Sequence, residues 1–240
     1  MSKKKILAHR GGAGLYSENT LSAFRNAIAL GVDAIECDVH LLKSGEVVVF
    51  HDFNLEQLVE KKGYIHDIDN ETRKKLRVKG SMEAPPLLEE VLDLLKPTNV
   101  ALHLEIKTCG NIERETILSQ KALALIKSRN LAERVSAISF DPISLRPFIE
   151  AGITSGPCID SFEGDMRRYF LEWKQLGYRD LSLDGSVVSQ EFIESALDTG
   201  FIVGVWTING RARLSYWLDV PVHYITTDQP DLALQLRAQR

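Results

Sequence analysis

The chain has 240 residues, a formal net charge of −4 and a pI of about 5.9. Without a basic stripe it lacks the electrostatic footprint of a nucleic-acid binder, and no run approaches the ~18 apolar residues of a membrane span. Three cysteines, Cys37, Cys109 and Cys158, are odd in number, far apart and without metal-ligand spacing, which points to a reduced, cytoplasmic protein.

Met1 to Lys5 carries the charge of a signal n-region. However, Ile6-Leu7-Ala8 is too short for an apolar h-region and His9-Arg10 interrupts it, so Lys3-Lys4-Lys5 reads as the solvated start of a strand. That first strand runs Lys5–Arg10 into a glycine-rich loop. A helix follows at Asn19–Leu30, closed by Gly31. Strand two is Ala34–Leu41, and Lys43-Ser44-Gly45 turns the chain into Glu46–Phe50 and then His51-Asp52. Residues 53–86 are polar and irregular, read as a small insertion over 52–86. A helix at Leu88–Leu95 stops before Pro97, and strand three is Val100–Lys107.

The alternation then becomes regular. Helix 114–129 leads to strand 134–140, and helix 142–151 to a short strand near 153–158. Helix 166–176 leads to strand 180–183, helix 190–197 to strand 201–208, and helix 211–218 to strand 223–227. Helix 230–236 closes the series. About eight strand–helix units predict an α/β fold, a single (β/α)8 barrel over residues 1–240 with 52–86 as a decoration. No linker or composition shift marks a second domain.

The charged residues on two strands carry the functional argument. Side chains alternate along a strand. Glu36, Asp38 and His40 therefore share one face of strand two, and His103, Glu105 and Lys107 share one face of strand three. Burying unpaired charge is costly, and a bound cation is the simplest reason for carboxylates to converge. Barrel active sites lie at the C-terminal strand ends, where His9-Arg10, Asp38, His51, Glu105 and Lys107 are all expected. The competing reading makes Glu36 and Asp38 structural ion-pair partners of Arg10 and Lys107.

Among the remaining candidates, His40, His66 and His223 read as ordinary polar residues. His103 reads as buried and hydrogen-bonded, Cys37 as core and Cys109 as a loop thiol. Gly11-Gly12-Ala13-Gly14 lacks the Lys-Ser/Thr of a nucleotide loop and reads as a tight turn. Glu18 and Asn19 read first as serving the first helix N-terminus and its loop, and second as touching the site. Asp52 orients His51 or begins the next turn, and Asp184 has no assigned role.

Taken in order, His9-Arg10-Gly11, Glu18-Asn19-Thr20 with Ala23-Phe24, Glu36-x-Asp38, His51-Asp52, Pro86-Leu87-Leu88-Glu89-Glu90 and Glu105-Ile106-Lys107 resemble the glycerophosphodiester phosphodiesterase family. So do Trp206-Thr207-Ile208-Asn209 and Thr226-Thr227-Asp228-Gln229-Pro230. The resemblance spans nearly the whole chain. Two departures stand out: Ser17 replaces a common proline, and Leu55-Glu56-Gln57-Leu58-Val59 replaces a Leu-x-Arg-Thr-Thr stretch.

The resemblance implies metal-dependent hydrolysis of glycerophosphodiesters to sn-glycerol 3-phosphate and an alcohol. It makes His9 and His51 the catalytic acid–base pair and Glu36, Asp38 and Glu105 the ligands of one divalent ion. Three carboxylates form a hard oxygen set suited to Mg²⁺ or Ca²⁺, with Mn²⁺ as a further candidate. Arg10 suits two-pronged phosphate binding, Lys107 suits a point-charge contact, and the resemblance sets Trp206 beside the substrate. As a working assignment, His51 protonates the leaving alcohol and His9 is the base. The expected partner is a small glycerophosphodiester, with no nucleic acid and no membrane span. Phospholipase action on lysophospholipids or phosphoinositides, and a non-catalytic binding barrel, are the alternatives; the charge of the 52–86 segment favours water-soluble substrates.

Overall fold

The two faces of one strand explain the architecture. Ala34–Leu41 forms β2 and is buried along its whole length. Ile35, Cys37 and Val39 join the main apolar cluster, which they share with helix residues such as Phe24, Leu92 and Ala122. Ala34 joins a separate small cluster with Leu7 and Tyr224, packed against Ala101. The first face therefore packs on the helices, and the second faces a central axis together with Glu36, Asp38 and His40.

The computed structural model describes residues 3–162 and 164–240. Met1 and Ser2, at the head of the basic run, and Glu163 lie outside the described residues. Strand β1 (Lys5–Ala8) is followed by α1 (Leu21–Leu30), β2, β3 (Val47–Val49), α2 (Asn70–Lys75) and α3 (Leu88–Leu95). Next come β4 (Ala101–Ile106), α4 (Ile112–Ser128), β5 (Val135–Ser139), α5 (Arg146–Glu150), β6 (Ser155–Ile159) and α6 (Met166–Gln175). The chain ends with β7 (Asp180–Asp184), α7 (Gln190–Asp198), β8 (Ile202–Trp206), α8 (Arg211–Asp219), β9 (Tyr224–Thr227) and α9 (Pro230–Ala238).

Among the described residues, the sheet order is β1-β9-β8-β7-β6-β5-β4-β2, and β2 pairs back onto β1. These eight strands run parallel, so the sheet closes into a (β/α)8 barrel, while β3 adds antiparallel to the end of β2. The β2–β4 register sets Glu36 beside His103 and Asp38 beside Glu105. At the axis, a Cβ on Gly204 would lie 1.9 Å from the Tyr224 ring, so only glycine leaves room for that ring.

The expected elements are present, with ends displaced by a residue or two at most boundaries. Three differences have physical causes. First, β1 ends at Ala8 instead of Arg10, because His9–Gly11 forms a 3-10 turn with Arg10 at φ 50°. Second, α1 starts at Leu21 instead of Asn19: Thr20 is the cap, accepting from the Ala23 N–H at 3.1 Å, and Asn19 is left-handed at φ 54°. Third, residues 53–86 are not merely irregular and polar. They hold the short helix α2 and an apolar cluster of their own, in which Leu55, Val59, Ile65, Ile68 and Leu76 pack with Leu42, Val48, Phe50 and Leu87. Buried Arg73 anchors the segment by donating to the Pro85 carbonyl at 2.7 Å.

Candidate active site

The C-terminal ends of β1, β2, β4 and β8 meet at one recess lined by His9, Arg10, Glu36, His51, Glu105, Lys107, Phe140 and Trp206, among others. Every residue expected at the site reaches this cluster, and Asp38 joins it through its ion pairs to Lys107 and Arg10.

The turn after β1 brings two of these groups inward. Gly12 and Ala13 both donate to the His9 carbonyl, at 2.8 and 3.1 Å, so the glycine-rich segment is a tight turn as expected. A Cβ on Gly11 would meet that of Ala23 at 2.9 Å, which pins the turn against α1. The Arg10 backbone N–H donates to Glu36 Oε2 at 2.9 Å, and its guanidinium donates from Nη1 to Glu18 at 3.0 Å. Glu18 therefore serves Arg10 and not the helix terminus.

Both histidines are locked at Nδ1. His9 Nδ1 lies 2.7 Å from Asp228 Oδ1, and His51 Nδ1 lies 2.6 Å from Asp52 Oδ1. An ionised carboxylate only accepts, so each imidazole carries its Nδ1 proton toward the carboxylate and keeps Nε2 for chemistry. His9 Nε2 lies 4.0 Å from Glu36. Asp52 thus orients His51, one of its two expected roles.

Glu36, Asp38 and Glu105 are all buried and offer ligand oxygens within 4.8 Å of one another. Lys107 Nζ sits 2.6 Å from Glu105 and 3.0 Å from Asp38. Arg10 Nε lies 3.6 Å from Asp38. Ion pairing therefore exists, as the competing reading requires. Among the described residues, however, two cations face three buried carboxylates, and the electrostatics carry the imbalance. Burial, with repulsion from Asp38 and Glu105, pushes Glu36 well above the usual carboxylate range. Burial, with repulsion from Asp38, pushes Glu105 up to about 7 against the pull of Lys107. Burial works against ionised Asp38 too, but Lys107, His51, Arg10 and the Asn19 amide outweigh it and hold Asp38 well below its ordinary value. Two strained carboxylates beside one firmly ionised carboxylate, all hard oxygen donors, fit a divalent cation.

His51 is lowered from its ordinary value, first by burial and then by Lys107 and Arg10, which outweigh the opposing pull of Asp38 and Asp52. Burial also works against ionised Asp228, but its bonds to His9 and Asn209 hold it below its usual range.

Three residues to which the sequence assigns no leading role belong to the site's support. Asp228, quoted only as part of a motif, holds His9. It is held in turn by Asn209, whose Nδ2 donates to Oδ2 at 2.5 Å and whose Oδ1 accepts from the Asp228 backbone N–H at 2.9 Å. His40, set aside as an ordinary polar residue, lies with Nε2 3.0 Å from the His51 carbonyl and packs edge-on against Phe53. Asn19 takes the second of its two expected places, at the site, and donates from Nδ2 to Asp38 Oδ2 at 2.8 Å. Only the strand alternation pointed at His40; Asp228 and Asn209 sit on separate loops whose meeting no local pattern records.

His103 lies below Glu105 with Nδ1 2.7 Å from Ser136 Oγ, and Tyr224 donates to buried Asp180 at 2.7 Å. Trp206 contributes a buried indole N–H with no hydrogen-bond partner among the described residues, and Phe140 packs edge-on against it at 5.7 Å. Among the described residues, no helix is long and apolar enough to cross a membrane.

Comparison with known proteins adds an independent line. The model of the glycerophosphoryl diester phosphodiesterase family matches residues 9–232. A glycerophosphodiester phosphodiesterase of Bacillus altitudinis is 31% identical over 248 residues, covering 98% of each chain. A lysophospholipase D of Homo sapiens is 32% identical over 138 residues, 52% of this chain and 42% of that one. The structure of an Oleispira antarctica phosphodiesterase, in complex with the product sn-glycerol-3-phosphate, has a TM-score of 0.87 at 21% identity and covers 97% of this chain and 96% of that one.

Proposed function

The chain belongs to the glycerophosphoryl diester phosphodiesterase family and is a phosphoric diester hydrolase, and from that premise we propose that it hydrolyses glycerophosphodiesters to sn-glycerol 3-phosphate and an alcohol with the help of one divalent ion. One observation carries this reading. Two imidazoles, each with Nδ1 fixed on a carboxylate, lie at the same barrel mouth as three buried carboxylates that two cations, among the described residues, neutralise.

Glu36, Asp38 and Glu105 would hold the ion, Mg²⁺ or Ca²⁺ with Mn²⁺ as a further candidate. Bound there, it would polarise a phosphoryl oxygen and offset the charge of the diester. Arg10 and Lys107 complete the neutralisation, the first through guanidinium donors that Glu18 leaves free and the second as a point charge. The Trp206 indole N–H is a donor awaiting an acceptor in the recess, which supports its place beside the substrate.

His9 serves as the base, taking a proton at Nε2 from the nucleophile while Asp228 stabilises the imidazolium that forms. His51 serves as the acid, delivering a proton to the departing alkoxide oxygen as the P–O bond breaks. The nucleophile is water, or the glycerol hydroxyl next to the phosphate; the latter gives a cyclic phosphate that water then opens. In the free enzyme burial, and then Lys107 and Arg10, disfavour protonated His51. An anionic diester docked on those two cations offsets their charge and so favours the protonated form that the acid role needs.

Residues 1–240 are read as one domain with 52–86 inserted, supported by strands from both ends of the chain pairing as β1 and β9. The three free cysteines support a reducing, cytoplasmic setting. A second reading, action on lysophospholipids, rests on the apolar wall of Ile138, Phe140, Cys158 and Trp206. The binding-only reading loses ground because no member of the acid–base or carboxylate set is missing.

The test is choline release from glycerophosphocholine, which leaves sn-glycerol 3-phosphate, and from a lysophosphatidylcholine, which leaves lysophosphatidic acid, with EDTA and then with Mg²⁺, Mn²⁺ or Ca²⁺ restored. Ion-dependent release from the first substrate supports the main reading, and release from the lysolipid alone supports the second. No release from either under any ion removes both.

A further inference from the structure

Asn19 is held in a conformation that an ordinary side chain avoids. Its φ is 54°, in the left-handed region, and it is 2% exposed. Asparagine tolerates this region better than most residues, yet it is still uncommon outside glycine. Arg10, at φ 50°, is its neighbour in space: the Asn19 backbone N–H donates to the Arg10 carbonyl at 2.9 Å. Strain of this kind persists where the surrounding structure imposes it, and it clusters at functional sites.

The strained backbone aims the amide at one atom. Nδ2 donates to Asp38 Oδ2 at 2.8 Å. An ionised carboxylate only accepts, so the amide nitrogen must face Asp38 and the carbonyl oxygen must point elsewhere. That oxygen, Asn19 Oδ1, is buried and has no hydrogen-bond partner among the described residues. Asp38 Oδ2 is therefore held by Asn19, with Arg10 Nε 3.6 Å away, while Oδ1 meets Lys107 at 3.0 Å.

We propose that Asn19 is a positioning residue of the cation site: it ties Asp38 Oδ2 so that this carboxylate offers a single oxygen to the ion, and its unpartnered carbonyl oxygen accepts a hydrogen bond from a water of the ion's hydration shell. The inference rests on the divalent-ion reading above. It has a consequence for ion choice. Mg²⁺ demands near-octahedral geometry, usually keeps several waters and gains from a single-oxygen carboxylate. Ca²⁺ accepts two-oxygen carboxylates in a flexible shell. A tied Asp38 and a water acceptor beside it bias the site toward Mg²⁺.

The Asn19→Gly variant tests this cleanly, because glycine adopts positive φ without strain and only the amide is lost. Calorimetric titration of the ion-free protein with MgCl2 and with CaCl2 reads both affinities, and the thermal midpoint checks folding. Asn19→Ser, which keeps a short polar side chain but cannot both donate to Asp38 and offer an amide oxygen, serves as the second variant. The expected result is a loss of Mg²⁺ affinity of roughly 10–100-fold in both, the usual scale for outer-shell partners, with a smaller loss for Ca²⁺, so that the preference moves toward Ca²⁺. Unchanged affinities, or equal losses for the two ions, would overturn the proposal. If the wild-type protein binds neither ion, the cation reading falls and the proposal falls with it, an outcome visible in the wild-type titration alone.

Discussion

His9 Nδ1 and Asp228 Oδ1 stand 2.7 Å apart although 219 positions separate them in the chain. One residue follows the first barrel strand and the other follows the last, so the contact exists only because β9 pairs with β1. Replacing Asp228 by asparagine should leave the barrel folded and free the imidazole to change tautomer. A fall in kcat of roughly 10²–10⁴, on the scale of acid–base loss, is expected. Steady-state assays with a circular dichroism check would measure it, and near-normal kcat would mean that Asp228 is only structural.

Alanine at His9 or at His51 should each remove most turnover, again by roughly 10²–10⁴, with thermal midpoints close to wild type. Both side chains sit at the barrel mouth, partly open to solvent. Wild-type-like turnover in either variant would remove that residue from the acid–base pair.

The pH profile should separate free from substrate-bound enzyme. Burial, Lys107 and Arg10 lower His51 in the free enzyme. If His51 must carry a proton as the acid, kcat/KM falls as pH rises through that lowered value. A bound diester relieves the two cations, so the corresponding limb of kcat should lie at higher pH. If His51 is instead the base, its limb appears on the acid side, and activity falls as pH drops.

Glu105→Gln should abolish the response of turnover to added ion, because it removes one of three ligands and the charge that makes the site selective for a cation. Ion-independent turnover equal to wild type would place the ion elsewhere.

Asp180 offers a stability test away from the catalytic groups. Burial raises its carboxyl to about 7, against the bond from Tyr224. The folded value exceeds the unfolded one, so the folded state binds the extra proton between about pH 4 and about 7. Stability should therefore be greatest at the acid side of that window and fall as pH rises through it. Asp180→Asn should flatten the dependence of the thermal midpoint on pH; an unchanged slope would assign the effect to another group. In the same region, Gly204→Ala should destabilise the barrel by about 1–3 kcal/mol, because the new methyl meets the Tyr224 ring inside a packed interior.

The barrel and its carboxylates were legible in the sequence for a local reason. Strand alternation is a property of consecutive residues, so Glu36 with Asp38, and Glu105 with Lys107, could be assigned to common faces before any fold was known. The 52–86 segment is largely irregular, as its sequence suggests, and its apolar cluster of Leu55, Val59, Ile65, Ile68 and Leu76 is not legible there because no single period runs through these residues. Their positions after the predicted strands then placed His9 and His51 at the same barrel end. What tertiary structure alone decided is which groups hold those residues in place. Asp228 reaches His9 because the sheet closes, Asn19 reaches Asp38 because the single connection between β1 and α1 passes through left-handed conformations at Arg10 and Asn19, and His40 reaches the His51 carbonyl because β3 folds back on β2. Periodicity encodes the face a side chain occupies; the partner it meets there depends on chain closure and loop conformation, which no short stretch of sequence contains.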